Sequence, residues 1–154
     1  MINIQGNSVI EAKPDFVWDQ LFEVDTLINL IPGCKQLKKI NEHEYQGQIQ
    51  ISVAAVQGKY MTRIFVNQYD ETYICELEGD VIGPTGTIQG NGSFQLKEVA
   101  GGTNIEYHAK ALMIGALAKL NPRFIEGVVG TLIKQGIGKL NKQIRANSTG
   151  DFRK

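Results

Sequence analysis

The sequence predicts an α+β fold: a curved antiparallel sheet of six to seven strands wrapped around a long C-terminal helix, with two short helices after the first strand. Three observations predict it. From Cys34 to Gly115, apolar and polar residues alternate in runs separated by turn-forming residues, the pattern of strands wet on one face. From Leu117 to Ile144, the residues Leu117, Leu120, Phe124, Val128, Leu132, Ile137, Leu140 and Ile144 recur at spacings of three, four and once five. That is the period of one helix face, over a length no strand reaches. Between Lys13 and Gly33 lie two short helical segments. One long helix closing over one sheet can enclose a pocket, so the functional question is whether that space is filled.

The elements follow in order. Ile2, Ile4, Val9 and Ile10 make a first strand, bent at Gly6. Pro14 suits the first position of a helix over about 14–22, and Asp15 suits its positive end. Asp25 serves as N-cap of a second short helix, which Pro32-Gly33 ends. Tyr45, Gly47, Ile49, Ile51 and Val53 alternate with Gln46, Gln48, Gln50 and Ser52; runs at 60–66, 73–77, 88–96 and 105–113 repeat the pattern. Asn41-Glu42-His43, Tyr69-Asp70-Glu71, Gly83-Pro84-Thr85-Gly86 and Gly101-Gly102 supply turns. Pro122 fits a long-helix start near Lys119 to Asn121. Residues 1–146 form one domain, and 147–154 a polar, disordered tail.

Composition narrows the function. Sixteen basic residues balance sixteen acidic ones, which leaves no electrostatic footprint for nucleic acid. No stretch reaches the roughly 20 apolar residues of a membrane span, so at most peripheral membrane contact is expected. The N-terminus lacks the charged and apolar regions of a signal peptide, which points to the cytoplasm. Cys34 and Cys75 lack CxxC spacing; they form either a disulfide or, fitting a reducing compartment, two free thiols.

Several pieces together carry a family resemblance: Val17-Trp18 with Leu21, Ile31-Pro32-Gly33-Cys34, Gly101-Gly102-Thr103 followed by Ile105 and Tyr107, and Gly115-Ala116-Leu117-Ala118. The element order resembles the helix-grip fold of the START/Bet v 1-like (SRPBCC) superfamily. The pieces resemble, more narrowly, the G-subunit family of carbon monoxide dehydrogenase. The resemblance implies a non-catalytic accessory protein that accompanies a molybdenum-containing CO dehydrogenase or related hydroxylase, with a role in membrane recruitment or electron-carrier delivery. The superfamily implies an apolar ligand, a lipid or quinone, held between sheet and helix. No cofactor is expected.

The residues themselves place the candidate site. Inward parity assigns the lining to Ile49, Ile51, Val53, Tyr60, Thr62, Ile64, Cys75, Leu77, Phe94, Tyr107, Ala109, Ala111, Met113, Phe124, Val128 and Leu132. Tyr60, Thr62 and Tyr107 supply its polar groups. Gly90 and Gly92, beside Ala109 and Ala111, mark close backbone approach and also clear volume beneath the helix. Gly127, Gly130, Gly136 and Gly138 each cost a helix about 1 kcal/mol relative to alanine, offset either by close packing or by a role as a deformable lid. His43 in a turn and His108 on the polar parity read as exposed, and Glu76, Glu78 and Glu106 as a solvated face. There is no GxSxG and no His pair at zinc-binding spacing. The rival reading, an enzyme of cyclase or dehydratase type, needs an inward acid or base, for which Tyr60, Tyr107, Asp80 and Arg63 are the candidates. A third reading is an assembly factor with a filled core.

Overall fold

The computed structural model describes residues 1–31, 33–52 and 56–152, with side chains through Ala146. The order is β1 (Ile2–Ile10), α1 (Pro14–Leu21), α2 (Val24–Leu30), β2 (Cys34–Asn41), β3 (Glu44–Ile51), β4 (Gly58–Tyr69), β5 (Ile74–Gly83), β6 (Gly86–Val99), β7 (Gly102–Ile114), a 3₁₀ turn (Gly115–Lys119) and α3 (Pro122–Phe152). The strands form one seven-stranded sheet in the order β1-β7-β6-β5-β4-β3-β2, every neighbouring pair antiparallel. This is the predicted helix-grip architecture. Strands β2 to β7 follow one another as neighbours; the two short helices carry the chain from β1 at one edge to β2 at the other.

Four local expectations are corrected. Strand β1 keeps an unbroken register with β7 through Gly6, paired with Tyr107, so the glycine makes no bend. A Cβ there would lie 2.6 Å from the Tyr107 hydroxyl, so Gly6 makes room for that side chain. The cap of α2 is Glu23, not Asp25; Asp25 sits in the first turn, where its charge suits the helix dipole. Leu117 and Leu120 belong to the 3₁₀ turn and its cap rather than to the long helix, which starts at Pro122. The helix phase read from them fails over the first turn, while Ile137, Leu140 and Ile144 face the core as expected. Ile125 takes the buried position at 2% exposure, whereas Phe124 is 44% exposed on the helix flank. Finally, α3 runs to Phe152, so the backbone of 147–152 extends the helix beyond the expected end at Ile144. Arg153 and Lys154 of the expected tail lie outside the described residues.

The core is in two parts. The larger gathers Ile10, Val17, Trp18, Leu21, Leu37, Tyr45, Val66, Cys75, Leu96, Ile105, Leu140 and Ile144, which joins α1 and the end of α3 to one end of the sheet. Trp18 anchors it: its ring meets Phe22, Tyr73 and Phe94 at centroid distances of 5.0, 5.6 and 6.0 Å, and its Nε1 donates to Asp70 Oδ1 at 2.9 Å. The smaller part joins Ile2, Val56, Met113, Leu117 and Ile125 at the opposite end.

Between the two parts, inward glycines let adjacent strands close up. A Cβ at Gly47 would meet the Gln36 carbonyl at 2.5 Å, at Gly79 the Arg63 carbonyl at 2.6 Å, and at Gly92 the His108 carbonyl at 2.6 Å. These are the places where the sheet coils tightly. On α3, by contrast, Gly136 alone packs closely, against the Leu30 carbonyl of α2; a Cβ at Gly127, Gly130 or Gly138 would meet nothing within 4 Å.

Opposite stability effects are expected from one added methyl group. Gly92→Ala should destabilise by about 1–3 kcal/mol, because strand β7 must move. Gly130→Ala should stabilise by about 0.5–1 kcal/mol, through helix propensity alone. Urea unfolding of both variants checks this; a Gly92→Ala variant as stable as the parent would contradict the close-approach account.

Candidate functional site

The concave face of the sheet is read from its register. Across β7, β6 and β5, Ala111 pairs with Gly90 and Gly90 with Gly79; Ala109 pairs with Gly92 and Gly92 with Leu77. Five of these six positions carry a methyl group or no side chain. They form a low floor between the two halves of the core, beneath α3. Gly79 belongs to this floor although the sequence pattern did not mark it; the signal was its inward parity on β5.

Five predicted lining residues, Ile49, Tyr107, Ala109, Val128 and Leu132, belong to neither half of the core, and all five remain partly open. Apolar side chains that face one another across a helix–sheet interface are normally sealed from solvent. Here Ile49, Ala109, Val128 and Leu132 each retain accessible surface, which marks the space between sheet and helix as the candidate cleft. Two α3 residues not foreseen from sequence are also partly open: Ile133, which belongs to neither half, and Val129, which packs on the smaller core. Their signal was lost with the helix phase.

The other predicted lining residues are placed differently. Ile64, Leu77 and Phe94 pack on the larger core, and Ile51 and Ala111 on the smaller; Cys75 and Met113 are members of those cores. Val53 lies outside the described residues. Phe124 is on the exposed helix flank. Tyr60 is 1% exposed, and its hydroxyl donates to the Val56 carbonyl at 2.6 Å and pairs with the Thr85 hydroxyl. Thr62 is 4% exposed and donates to the Asp80 carbonyl at 2.9 Å. Both are occupied within the protein. Tyr107 is the exception: it is half-buried, and its hydroxyl makes no hydrogen bond among the described residues.

The ionisable groups lie elsewhere. Arg63 donates to Asp80 Oδ2 at 2.8 Å on the outer face of β4 and β5, and this contact raises the guanidinium above its ordinary value. The second Asp80 oxygen is buried without a partner. Glu76, Glu78 and Glu106 are exposed on the same face. His108 is exposed there too, with Nε2 2.9 Å from Ser93 Oγ, and His43 is exposed in the β2–β3 turn. Two open depressions of about 450 and 670 Å³ lie over this outer face: the first is lined by Met1, Phe65 and Leu112 together with Glu78, Asp80, Gln89 and Asn91, the second by Ser93, Gln95, Glu106 and His108. They open on the opposite side of the sheet from α3, and Gly79 and Gly90 line the first and Gly6 and Tyr107 the second. Among the described residues, no group of three His, Cys, Asp or Glu side chains could hold a metal ion.

A family model described as the G subunit of carbon monoxide dehydrogenase (CoxG) matches residues 6–145. Among solved structures, the chain is similar to a conserved protein from Geobacillus kaustophilus, with 29% identity and a TM-score of 0.89 over 94% of this chain and 96% of that one. It is similar to the Zhui aromatase/cyclase from Streptomyces sp. R1128, with 14% identity and a TM-score of 0.68 over 94% and 96% of the two chains. It is also similar to the protein XoxI from Bacillus cereus, with 11% identity and a TM-score of 0.68 over 93% and 95%. The last two likenesses show the fold alone. No curated protein matches the chain.

Cys34 and Cys75 are both free, and their surroundings differ. Cys75 is fully buried, and desolvation pushes its thiol up to about 12. Cys34 is half-buried and raised less, again by desolvation. A thiol-specific reagent should therefore label native protein at Cys34 and spare Cys75 until unfolding. Because the folded-state value of Cys75 lies above its unfolded value, its contribution to stability is full below about pH 9 and falls as pH rises toward 12. Cys75→Ala should flatten that part of the alkaline decline in an unfolding series; an unchanged slope would contradict the assignment.

Proposed function

This chain belongs to the CoxG family, the G subunits of carbon monoxide dehydrogenase, and on that premise we propose that it is a non-catalytic carrier whose cleft binds a lipid-like or quinone-like molecule in the service of a molybdenum-containing oxidoreductase. The observation that carries the reading is the low floor of Ala109, Gly90, Gly92 and Gly79 beneath partly open apolar residues on β3 and α3. A filled core, as an assembly factor would have, gives no reason for Ile49, Val128 and Leu132 to stay accessible. Burial of a ligand's apolar surface supplies the driving force, about 25 cal/mol per Å² before the cost of association.

The enzymatic reading has less support. It needs an acid or base inside the cleft, yet Arg63 and Asp80 pair on the outer face and Tyr60 is tied to Val56 and Thr85, which leaves Tyr107 alone of the four candidates, with no second ionisable group beside it to form an acid–base pair. The carrier reading also fits a chain in which, among the described residues, no helix is long and apolar enough to cross a membrane. A carrier visits a membrane or a partner transiently. The partner follows from the family rather than from any contact surface of this chain.

Native mass spectrometry of freshly purified protein, followed by solvent extraction, should reveal a bound apolar molecule. After incubation with vesicles containing a quinone, the separated protein should carry quinone. Ala109→Phe, which places a ring on the cleft floor, should lower that uptake severalfold at unchanged melting temperature. Uptake of another lipid but no quinone would restrict the ligand class; uptake of nothing apolar would overturn the carrier reading.

A further inference from the structure

We infer that Tyr107 is the polar anchor of the cleft and that the ligand is an apolar molecule bearing a hydrogen-bond acceptor, such as a ketone carbonyl, which receives the Tyr107 O–H. This rests on the carrier reading and narrows it. Three inward hydroxyl groups are candidates from sequence, and the structure separates them. The Tyr60 and Thr62 hydroxyls each donate to a backbone carbonyl, of Val56 and Asp80 respectively. Neither can donate to a ligand without breaking an internal bond in a buried setting. The Tyr107 hydroxyl has no partner among the described residues. It is also not sealed off: the buried polar side-chain atom left unpartnered there is Asp80 Oδ1, on the other face of the sheet.

A second observation concerns how the tyrosine is held. Gly6 is the register partner of Tyr107 on β1, and its missing side chain is where the phenol lies. A Cβ at Gly6 would come 2.6 Å from the hydroxyl oxygen and 2.8 Å from the ring carbon that bears it. The backbone of the edge strand thus accepts the tip of the ring in a defined place, next to Ala109 two positions along β7. A phenol fixed beside a low apolar floor is a directional donor in an apolar setting, where one unpaired polar group discriminates strongly between ligands. Since a phenol both donates and accepts, the class is set by the acceptor that most apolar carriers offer, a carbonyl or ether oxygen.

The test uses a matched pair of probes, 2-acetylnaphthalene and 2-ethylnaphthalene, titrated into the full chain by calorimetry. Parent protein should bind the ketone about fivefold more tightly than the hydrocarbon, the worth of one net hydrogen bond. Tyr107→Phe keeps the ring and loses the donor. It should abolish that preference while leaving affinity for 2-ethylnaphthalene and the melting temperature unchanged. Gly6→Ala, which displaces the phenol tip, should reduce the preference with the hydroxyl still present. If Tyr107→Phe retains the preference, or parent protein shows none, the anchor assignment is overturned while the cleft stands. If parent protein binds neither probe, the cleft reading itself falls and the anchor with it.

Discussion

The curvature of the sheet is the constraint on which the rest depends. At Gly47, Gly79 and Gly92 the backbone of one strand comes so close to the carbonyl of the next that no Cβ fits. These glycines stand on the inward parity of β3, β5 and β6, so one substitution pattern does two things. It lets the strands coil around the helix, and it strips the middle of the concave face of side chains. A flat sheet with branched residues at those positions would meet α3 along its whole length and close the core. Instead the core gathers at the two ends of the sheet, and the middle is left low.

The helix is fixed in a way that preserves this gap. Toward its C-terminal half, Gly136 packs on the Leu30 carbonyl of α2, and Leu140 and Ile144 enter the larger core. Along the outer edge of β1, Glu126 accepts the Asn3 backbone N–H at 2.8 Å, Asn141 accepts that of Glu11 at 3.2 Å, and Arg145 grips the Glu11 carboxylate, holding it below its ordinary pKa. These contacts occupy edge groups that would otherwise stay unpaired, and they hold the helix to one side of the sheet. Near its start, Ile125 drops into the smaller core beside Leu117. The stretch between, with Val128, Leu132 and Ile133 in neither half of the core, spans the low floor. Gly127 and Gly130, with nothing near them, cost that stretch helix propensity with no packing return, and Gly138 does the same farther along. Close packing explains Gly136 alone among the four.

Much of this architecture is legible in the sequence because a sheet wet on one face writes a period of two. Tyr45 to Ile51, Ile88 to Leu96 and Ile105 to Met113 alternate cleanly, and their inward sides are the observed ones. The long helix is legible as an element and, through Ile137, Leu140 and Ile144, in the phase of its second half, but not in the phase of its start. Leu117 and Leu120 continue an apolar rhythm across the 3₁₀ turn, and Pro122 restarts the helix with a different rotation. That rhythm points Phe124 inward in place of Ile125, and it hides Val129 and Ile133. Cys75 and Met113 do face inward as their parity predicts, but parity does not tell a cleft wall from a packed core. That distinction depends on what sits opposite: α1 and Trp18 over one end of the sheet, the 3₁₀ turn over the other.

Hydrogen-bond partners are the least legible of all. Tyr60, Thr62 and Tyr107 share parity and a hydroxyl group, yet only the fold decides which is free. Tyr60 finds Thr85 because the tight turn after β5 brings that hydroxyl over β4, and a Cβ at Gly83 would strike the same ring. Thr62 finds the Asp80 carbonyl across the β4–β5 ladder. Tyr107 faces β1, where its partner in register is a glycine with nothing to offer a donor. The absence of a side chain at Gly6 therefore determines where the phenol rests, and among the described residues its hydroxyl finds no partner there.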